Sequence, residues 1–388
     1  MDNNVEQLID MVCEKISKYL VPKRIATAKR RMAGVLAEQP VDYLPMVVIT
    51  KTVASVEQLP EFDWAQQWHD PAKSLYMQLK NNILPCIVGG GDFVPAVRAD
   101  TGVINCMSLF GVKFDVPSHT KPVVTEYLSK DEILCANIPD EISSLGIMPH
   151  MIRHMEYHKA ALQRRGLAEH ILLGHCDLQG PFDIAAMVRG HDIFTDMYED
   201  PDFVHHLMRL STSAYIAVAK LCKKISGEPL NHGISDGIYM ENGVGRICGD
   251  SDILVSKDMH QQFIAPYHAH VLDAFGGGWL HYCGGRKGFN RAEGLHLHES
   301  YAALPKLRGL NWTTGRDWVA EMRRLKGLGV VYIGWMPRDE GQSLEDYFRM
   351  VLSPYDTKGG FVFGWPELTA VEVDLAMDVW HTIQDKYL

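Results

Sequence analysis

The chain has 388 residues, 46% of them hydrophobic and 22% charged, with a formal net charge of −10. This is the composition of an ordinary globular protein, long enough for one large α/β domain with additions or for two smaller domains. The acidic balance excludes a general nucleic-acid or anionic-membrane surface, because either needs a basic field. No run approaches the ~18 apolar residues of a membrane span, and the acidic, amphipathic start MDNNVEQLIDMVCEKI does not read as a signal peptide. Eight scattered cysteines without a CxxC are then expected to be reduced thiols in a cytoplasmic protein.

In chain order, residues 5–38 predict two helices broken at Val21-Pro22, an N-terminal extension packing on the rest. VDYLPMVVI (41–49) and NNILPCIV (81–88) are expected to be strands. VGGGDFVP (88–95) lacks the Lys-Ser/Thr of a phosphate loop, so Asp92 is either a turn residue or a polar group in the mouth of a site. HMEYH (154–158) puts His154 and His158 on one helix face in an order that is not HExxH, which predicts a solvated face.

Past residue 165 a rhythm sets in, with a short apolar run, a turn and then a longer helical pattern. The runs are HILLGHC (170–176), LNHGISDG (230–237), GWLHYCGG (278–285), LRGLNWTTG (307–315), GVVYIGWMP (329–337) and GGFVFGWPE (359–367). Helical periodicity fills 187–226, 251–275, 316–328 and 342–353. GVGRICG (243–249) begins like a dinucleotide fingerprint but has Cys248 at the third glycine and no clear strand before it, and HLHES (296–300) reads as a polar loop.

About eight strand–helix units without a nucleotide fingerprint predict a single (β/α)8 TIM barrel over 1–388 with an N-terminal helical extension. In such barrels the chemistry sits at the C-terminal ends of the strands. On these strand limits the candidates are His175, Cys176, Asp236, His281, Cys283, Asn311, Trp312, Trp335, Trp365 and Glu367.

His281-x-Cys283 carries the sharpest signal. Alternation along a strand points both side chains to one face, and imidazole and thiolate are ligands that zinc prefers. Alone, the pair is either half of a metal site or two core residues at a strand end. Asp236 in GISDGIYMENG is an acid, base, ligand, substrate anchor or loop cap. Trp312, Trp335 and Trp365 are core residues or the wall of an apolar pocket.

Several stretches together resemble the uroporphyrinogen decarboxylase superfamily. TAKRRMAGVLAEQPVDYLP (27–45) is similar to its opening, GPFDIAAMVRG (180–190) to its Gly-Pro-aromatic segment, and residues 235–275 to its middle region. LHYCGG and GGFVFGWPE resemble its later strands. The resemblance covers essentially the whole chain and rests on order and spacing. It implies a (β/α)8 barrel with one of two activities: cofactor-free decarboxylation of uroporphyrinogen, or corrinoid-dependent methyl transfer with zinc on His-x-Cys and a later Cys.

The chain departs from the decarboxylating pattern. The Arg-Gln-Ala-Gly-Arg motif is absent, with VVITKTVAS near its place; Ala186 stands where a Tyr is expected, and a late Gly-His-Gly turn is missing. The methyltransferase pattern keeps His281 and Cys283, with Glu367 where the later Cys would fall. The resemblance therefore implies Zn2+ on His281, Cys283 and Glu367, and a corrinoid (cobalamin). DMHQQF (258–263) lacks the Gly of a cobalt-ligating Asp-x-His-x-x-Gly motif, so the corrinoid is expected on a separate partner protein.

A carboxylate in place of a thiolate makes zinc harder, which suits polarising the oxygen of a methoxy donor in an O-demethylation. Asp236 would orient that donor or protonate its leaving oxygen. Asp92, His175, Tyr239, Asn311, Trp312, Trp335 and Trp365 would bind or wall it. Methylation of a coenzyme M-like thiol is the rival within the same branch, and a cofactor-free decarboxylase using Asp92 or Asp236 is the rival of another class.

Overall fold

A computed structural model of the chain describes residues 5–48, 56, 58–283, 294–312, 318–334, 336–366, 368 and 372–388. Eight short parallel strands form the barrel: β1 (Met46–Val47), β2 (Ala96–Val97), β3 (Leu172–Leu173), β4 (Arg246–Cys248), β5 (Gly278–Tyr282), β6 (Leu307–Trp312), β7 (Val331–Gly334) and β8 (Phe361–Gly364). β4 through β8 pair in sequence, and β8 pairs in turn with β1. β2 pairs with β3. A parallel bridge from Gln179 to Cys248 carries the β3 segment to β4, and the Asp92 N–H reaches the Met46 carbonyl (2.8 Å) where β2 approaches β1. This is the expected (β/α)8 architecture.

The strands are apolar on both faces because helices cover them outside and side chains fill them inside. Trp279, Leu280 and Tyr282 on β5, Tyr332 and Ile333 on β7, and Phe361, Val362 and Phe363 on β8 are all buried. The C-terminal helix Val373–Tyr387 latches β1. Its Trp380 indole donates to the Leu44 carbonyl (2.8 Å), and Gln384 Oε1 accepts the Leu44 N–H (2.6 Å).

The two N-terminal helices lie at Val5–Tyr19 and Pro22–Leu36, with Pro22 opening the second. From the second, Arg31 reaches down to Asp42 and to Asp92 (3.0 Å each). Asp92 is 2% exposed and also accepts the Met46 N–H (3.1 Å), so it ties the helical extension to β1. This places it in a buried ion pair and not in the mouth of a site. Asp92→Ala would leave the buried end of Arg31 with Asp42 alone and the Met46 N–H without its acceptor. It is expected to lower stability by about 3–5 kcal/mol in urea titration, and Asp92→Asn, which keeps an acceptor, by less.

Five local expectations need correcting. NNILPCIV is helical: the helix Pro71–Gln78 continues through a π turn (Leu79–Ile83) into Leu84–Gly89. A short buried apolar run has no period to separate strand from helix, and Pro85, which cannot donate a helical hydrogen bond, directly follows the π turn where the helical ladder is already irregular. LNHGISDG is not a barrel strand. His232–Ser235 pairs antiparallel with Ile238–Glu241, and Asp236-Gly237, both at positive φ (53° and 81°), form the two-residue turn of that hairpin.

GVGRICG, set aside above, contains β4. HLHES folds as a 3-10 turn and the helix His298–Ala302, with His298 buried and accepting from the Tyr282 hydroxyl (2.6 Å).

The HMEYH helix, Met148–Arg164, also turns its histidines inward. His154 and His158 are 2% and 0% exposed and donate to the carbonyls of Trp68 (3.0 Å) and Pro71 (3.2 Å). One turn earlier His150 stacks on the Trp68 ring (centroids 4.1 Å apart). All eight cysteines are free thiols. No helix among the described residues is long and apolar enough to cross a membrane.

Candidate metal centre and substrate cavity

Parallel pairing sets the site. β4 and β5 run in register from Arg246 beside Trp279 to Cys248 beside His281, and the Gly249 N–H continues the ladder to the His281 carbonyl (2.7 Å). Two residues beyond each strand pair, Asp250 meets Cys283, whose N–H donates to Asp250 Oδ1 (2.6 Å). Strand alternation carries the His281 and Cys283 side chains to the same side. His281 Nε2 lies 3.3 Å from Cys283 Sγ and 3.8 Å from Asp250 Oδ1. The three donor atoms fall within 4.8 Å of one another.

Zinc bonds of about 2.0–2.3 Å in tetrahedral geometry put neighbouring ligand atoms roughly 3.3–3.6 Å apart. The three residues therefore fit the ion with only small adjustments. A thiolate, a carboxylate and a neutral imidazole would also bring its charge to zero. Cys283 is exposed, while His281 and Asp250 are half-buried.

The next strand fixes the imidazole. Asn311 on β6 is the register partner of His281. Its amide nitrogen donates to the Ile333 carbonyl, which sets its oxygen toward His281. His281 Nδ1–H then donates to Asn311 Oδ1 (2.5 Å), leaving the Nε2 lone pair directed at Cys283 and Asp250. Such outer partners orient a ligating imidazole and raise its basicity. Asn311→Leu is accordingly expected to weaken zinc binding about 10–100-fold in a chelator competition, with Asn311→Asp, which keeps an acceptor, close to the parent. Equal affinity in the Leu variant would show that Asn311 does not set the ring.

Beside the centre opens a cavity of about 670 Å³, lined by His281 and Asn311 and walled by Trp64, Phe93, Trp279 and Trp365. Its polar side is a chain of alternating charge. Asp236 pairs with Arg246 (2.9 Å), Arg246 with Asp177 (2.8 Å), Asp177 with Arg98 (3.0 Å), and Asp100 with both Arg98 (3.5 Å) and Lys121 (2.8 Å). Three cations thus face three anions. Burial alone would raise the Asp177 carboxyl, but the Arg98 and Arg246 guanidiniums outweigh it and hold it below the usual carboxylate range.

His175 closes the inner wall. Its Nδ1–H donates to the Cys176 carbonyl (2.7 Å), and burial keeps the ring neutral, its pKa lowered to about 4. Its Nε2, 3.5 Å from Ser235 Oγ, is an acceptor toward the cavity. The Trp365 indole donates to the Asp236 carbonyl (3.1 Å), pinning the hairpin turn against the barrel mouth.

Of the residues singled out in the sequence, the structure gathers Asp236, His175, Asn311, Trp365 and His281 around this cavity, with Cys283 at the centre beside it. It places three others elsewhere. Asp92 is in the ion pair with Arg31. Tyr239 faces the N-terminal helices, with its hydroxyl on His232 Nδ1 (3.1 Å) and Lys29 over its ring. Trp312 is core, packed edge-on against His298 and tilted on Tyr332. Strand alternation explains Trp312: it follows Asn311 and so points to the opposite face. Trp335 and Glu367 lie outside the described residues. Sequence reasoning missed Asp250 and the Arg98–Asp177–Arg246 chain, and the only signal for Asp250 was the short strand RIC two residues before it.

The comparisons agree with this architecture. Residues 27–226, just over half of the chain, match the family model for uroporphyrinogen decarboxylase (URO-D). The chain belongs to that family. Among solved structures it is similar to a methyltransferase from Methanosarcina mazei, with a TM-score of 0.63 and 14% sequence identity over 92% of this chain and 98% of that one. The two share the fold. No curated protein matches the sequence.

Proposed function

We propose that this protein is a zinc-dependent methyltransferase that moves a methyl group from a small methoxy donor, preferably an aromatic one, to the cobalt(I) of a separate corrinoid protein. The observation that carries the reading is the convergence of His281 Nε2, Cys283 Sγ and Asp250 Oδ1 beside an aromatic-walled cavity. That a methyltransferase has the same fold supports the class.

The nitrogen, sulfur and oxygen donors of His281, Cys283 and Asp250 would hold the zinc, which when bound supplies a Lewis acid for the departing oxygen. This mixed set is harder than one with two thiolates and favours an oxygen-bearing donor over a thiol acceptor. The protein's own groups do the remaining work. Trp64, Phe93 and Trp365 would sandwich the donor ring. His175 Nε2 and the Asp236 carboxylate, 39% exposed at the end of its ion pair, would accept hydrogen bonds from ring hydroxyls and fix which methoxy group faces the metal centre. The methyl–oxygen bond breaks with its electron pair left on oxygen, the methyl carbon takes the electron pair of cobalt(I), and the alkoxide or phenolate then takes up a proton. The cavity's balanced charges do not make the cationic clamp that a tetracarboxylate porphyrinogen would need.

The test is a transfer assay with zinc-loaded protein, a reduced corrinoid protein and a panel of methoxybenzenes. Conversion of the cobalt(I) spectrum to that of methylcobalt(III), with one demethylated phenol released per turnover, is the expected result. Methylation of an added thiol from methylcobalamin, without any demethylation, would overturn the proposed direction and favour the thiol reading. Failure of both in zinc-loaded protein would leave a cofactor-free lyase as the better account.

A further inference from the structure

Behind the candidate centre lies a second group that the reaction does not use. Asp252 opens the 3-10 turn Asp252–Leu254 just after β4, His260 sits on the helix Lys257–Phe263, and His268 on the helix Ala265–Phe275. All three are 0% exposed, and their donor atoms lie within 4.8 Å of one another. Asp252 Oδ2 is 2.7 Å from His268 Nε2 and 3.8 Å from His260 Nε2, and it accepts from the Tyr301 hydroxyl (3.0 Å).

The hydrogen bonds around this group do not close. Asp252 Oδ1 and His260 Nε2 have no hydrogen-bond partner, although both are buried. A buried polar atom left without a partner is destabilising, and these two belong to residues whose donor atoms lie 3.8 Å apart. His260 is already oriented by its other nitrogen, since Nδ1 pairs with Ser300 Oγ (2.7 Å) and Nε2 is left pointing at the carboxylate. Backbone glycines make the room: a Cβ at Gly249 would come within 2.6 Å of Asp252 Oδ2, and one at Gly180 within 3.2 Å of the His268 ring.

From this geometry we infer a second, fully buried divalent-metal site in which Asp252 Oδ2, His260 Nε2 and His268 Nε2 bind zinc. The donor separations of 2.7 and 3.8 Å bracket the roughly 3.3 Å between oxygen and nitrogen ligands on a tetrahedral zinc. Asp183, 3% exposed, braces the same turn by accepting the N–H groups of Ser251 (2.7 Å) and Asp250 (3.1 Å). Asp252 would bring one negative charge to the ion and the two neutral imidazoles their lone pairs. Its role is structural, clamping the turn that presents Asp250 onto the two helices. The inference stands on its own residues and not on the proposed methyl transfer.

Because the site has no exposure, the ion must enter during folding, so zinc is supplied during expression. Metal content is then measured on Cys283→Ala protein, which lacks the exposed thiolate ligand, and on Cys283→Ala with His260→Gln. The expected result is one zinc per Cys283→Ala chain, lost in the double variant. A zinc-edge anomalous map of Cys283→Ala crystals gives the same test without a second substitution, with a peak expected between Asp252, His260 and His268. Folded Cys283→Ala protein without zinc, or with zinc elsewhere and no peak among these three residues, would overturn the inference.

Discussion

Cys283→Ser is expected to abolish methyl transfer while leaving the barrel folded. Cys283 is exposed just beyond the end of β5. Its Sγ lies 3.3 Å from His281 Nε2. Replacing a thiolate by a hydroxyl removes both a charge and a strong ligand. The loss in zinc affinity should therefore exceed the roughly 10–100-fold that follows loss of an outer partner, and activity should fall at least as far. Asp250→Ala should follow in the same direction, and Glu367→Ala tests whether a fourth protein donor joins them. Circular dichroism and thermal unfolding check that the fold is kept. Full activity in Cys283→Ser would remove the thiolate from the mechanism.

Acid should unfold the protein early, and the cause is the histidine column on the helix Met148–Arg164. Burial, with His154, Arg153 and His69 adding to it, lowers His150 to about 3. Burial lowers His154 to about 4, and burial with His154 beside it lowers His158 to about 3. These folded values lie below the unfolded value of about 6.5, so between them the unfolded chain binds more protons than the native one. The stabilisation is fully present above about pH 6.5 and is lost as pH falls toward 4. For each ring the loss from pH 7 to 5 is roughly 2 kcal/mol, so His154 and His158 together give about 4 kcal/mol. That is a large share of a typical 5–15 kcal/mol stability. Urea titrations at pH 7 and pH 5 read the difference directly. The double variant His154→Gln/His158→Gln keeps a donor for the Trp68 and Pro71 carbonyls but has no proton to take up, so its stability should be flatter over this range. A parent with equal stability at both values would contradict the account.

The barrel was legible because its later strands repeat one pattern, apolar run then turn then helix, and because His281-x-Cys283 closes one of those runs. Strand alternation alone carried the pairing of those two side chains. What escaped was set by neighbours distant in sequence. Asp250 joins Cys283 only through the β4–β5 register, and β4 is three residues long, too short to show a period. Asp236-Gly237 turns a hairpin only through the pairing of His232–Ser235 with Ile238–Glu241, whereas LNHGIS has the composition of a barrel strand. Asp92 looked like a mouth residue on a glycine-rich turn; its partner Arg31 stands 61 positions earlier. The HMEYH histidines were expected in water because imidazole is polar, yet backbone carbonyls of Trp68 and Pro71 satisfy them inside the fold.

The central claim is that His281, Cys283 and Asp250 hold the metal of a methyltransferase. The most direct measurement is a zinc-edge anomalous difference map from crystals of the zinc-supplied parent protein. The account predicts a peak about 2.0–2.1 Å from His281 Nε2 and about 2.3 Å from Cys283 Sγ, with Asp250 in reach, and its loss in Cys283→Ser. A parent map with no peak at His281 and Cys283 would contradict it and leave both as strand-end residues.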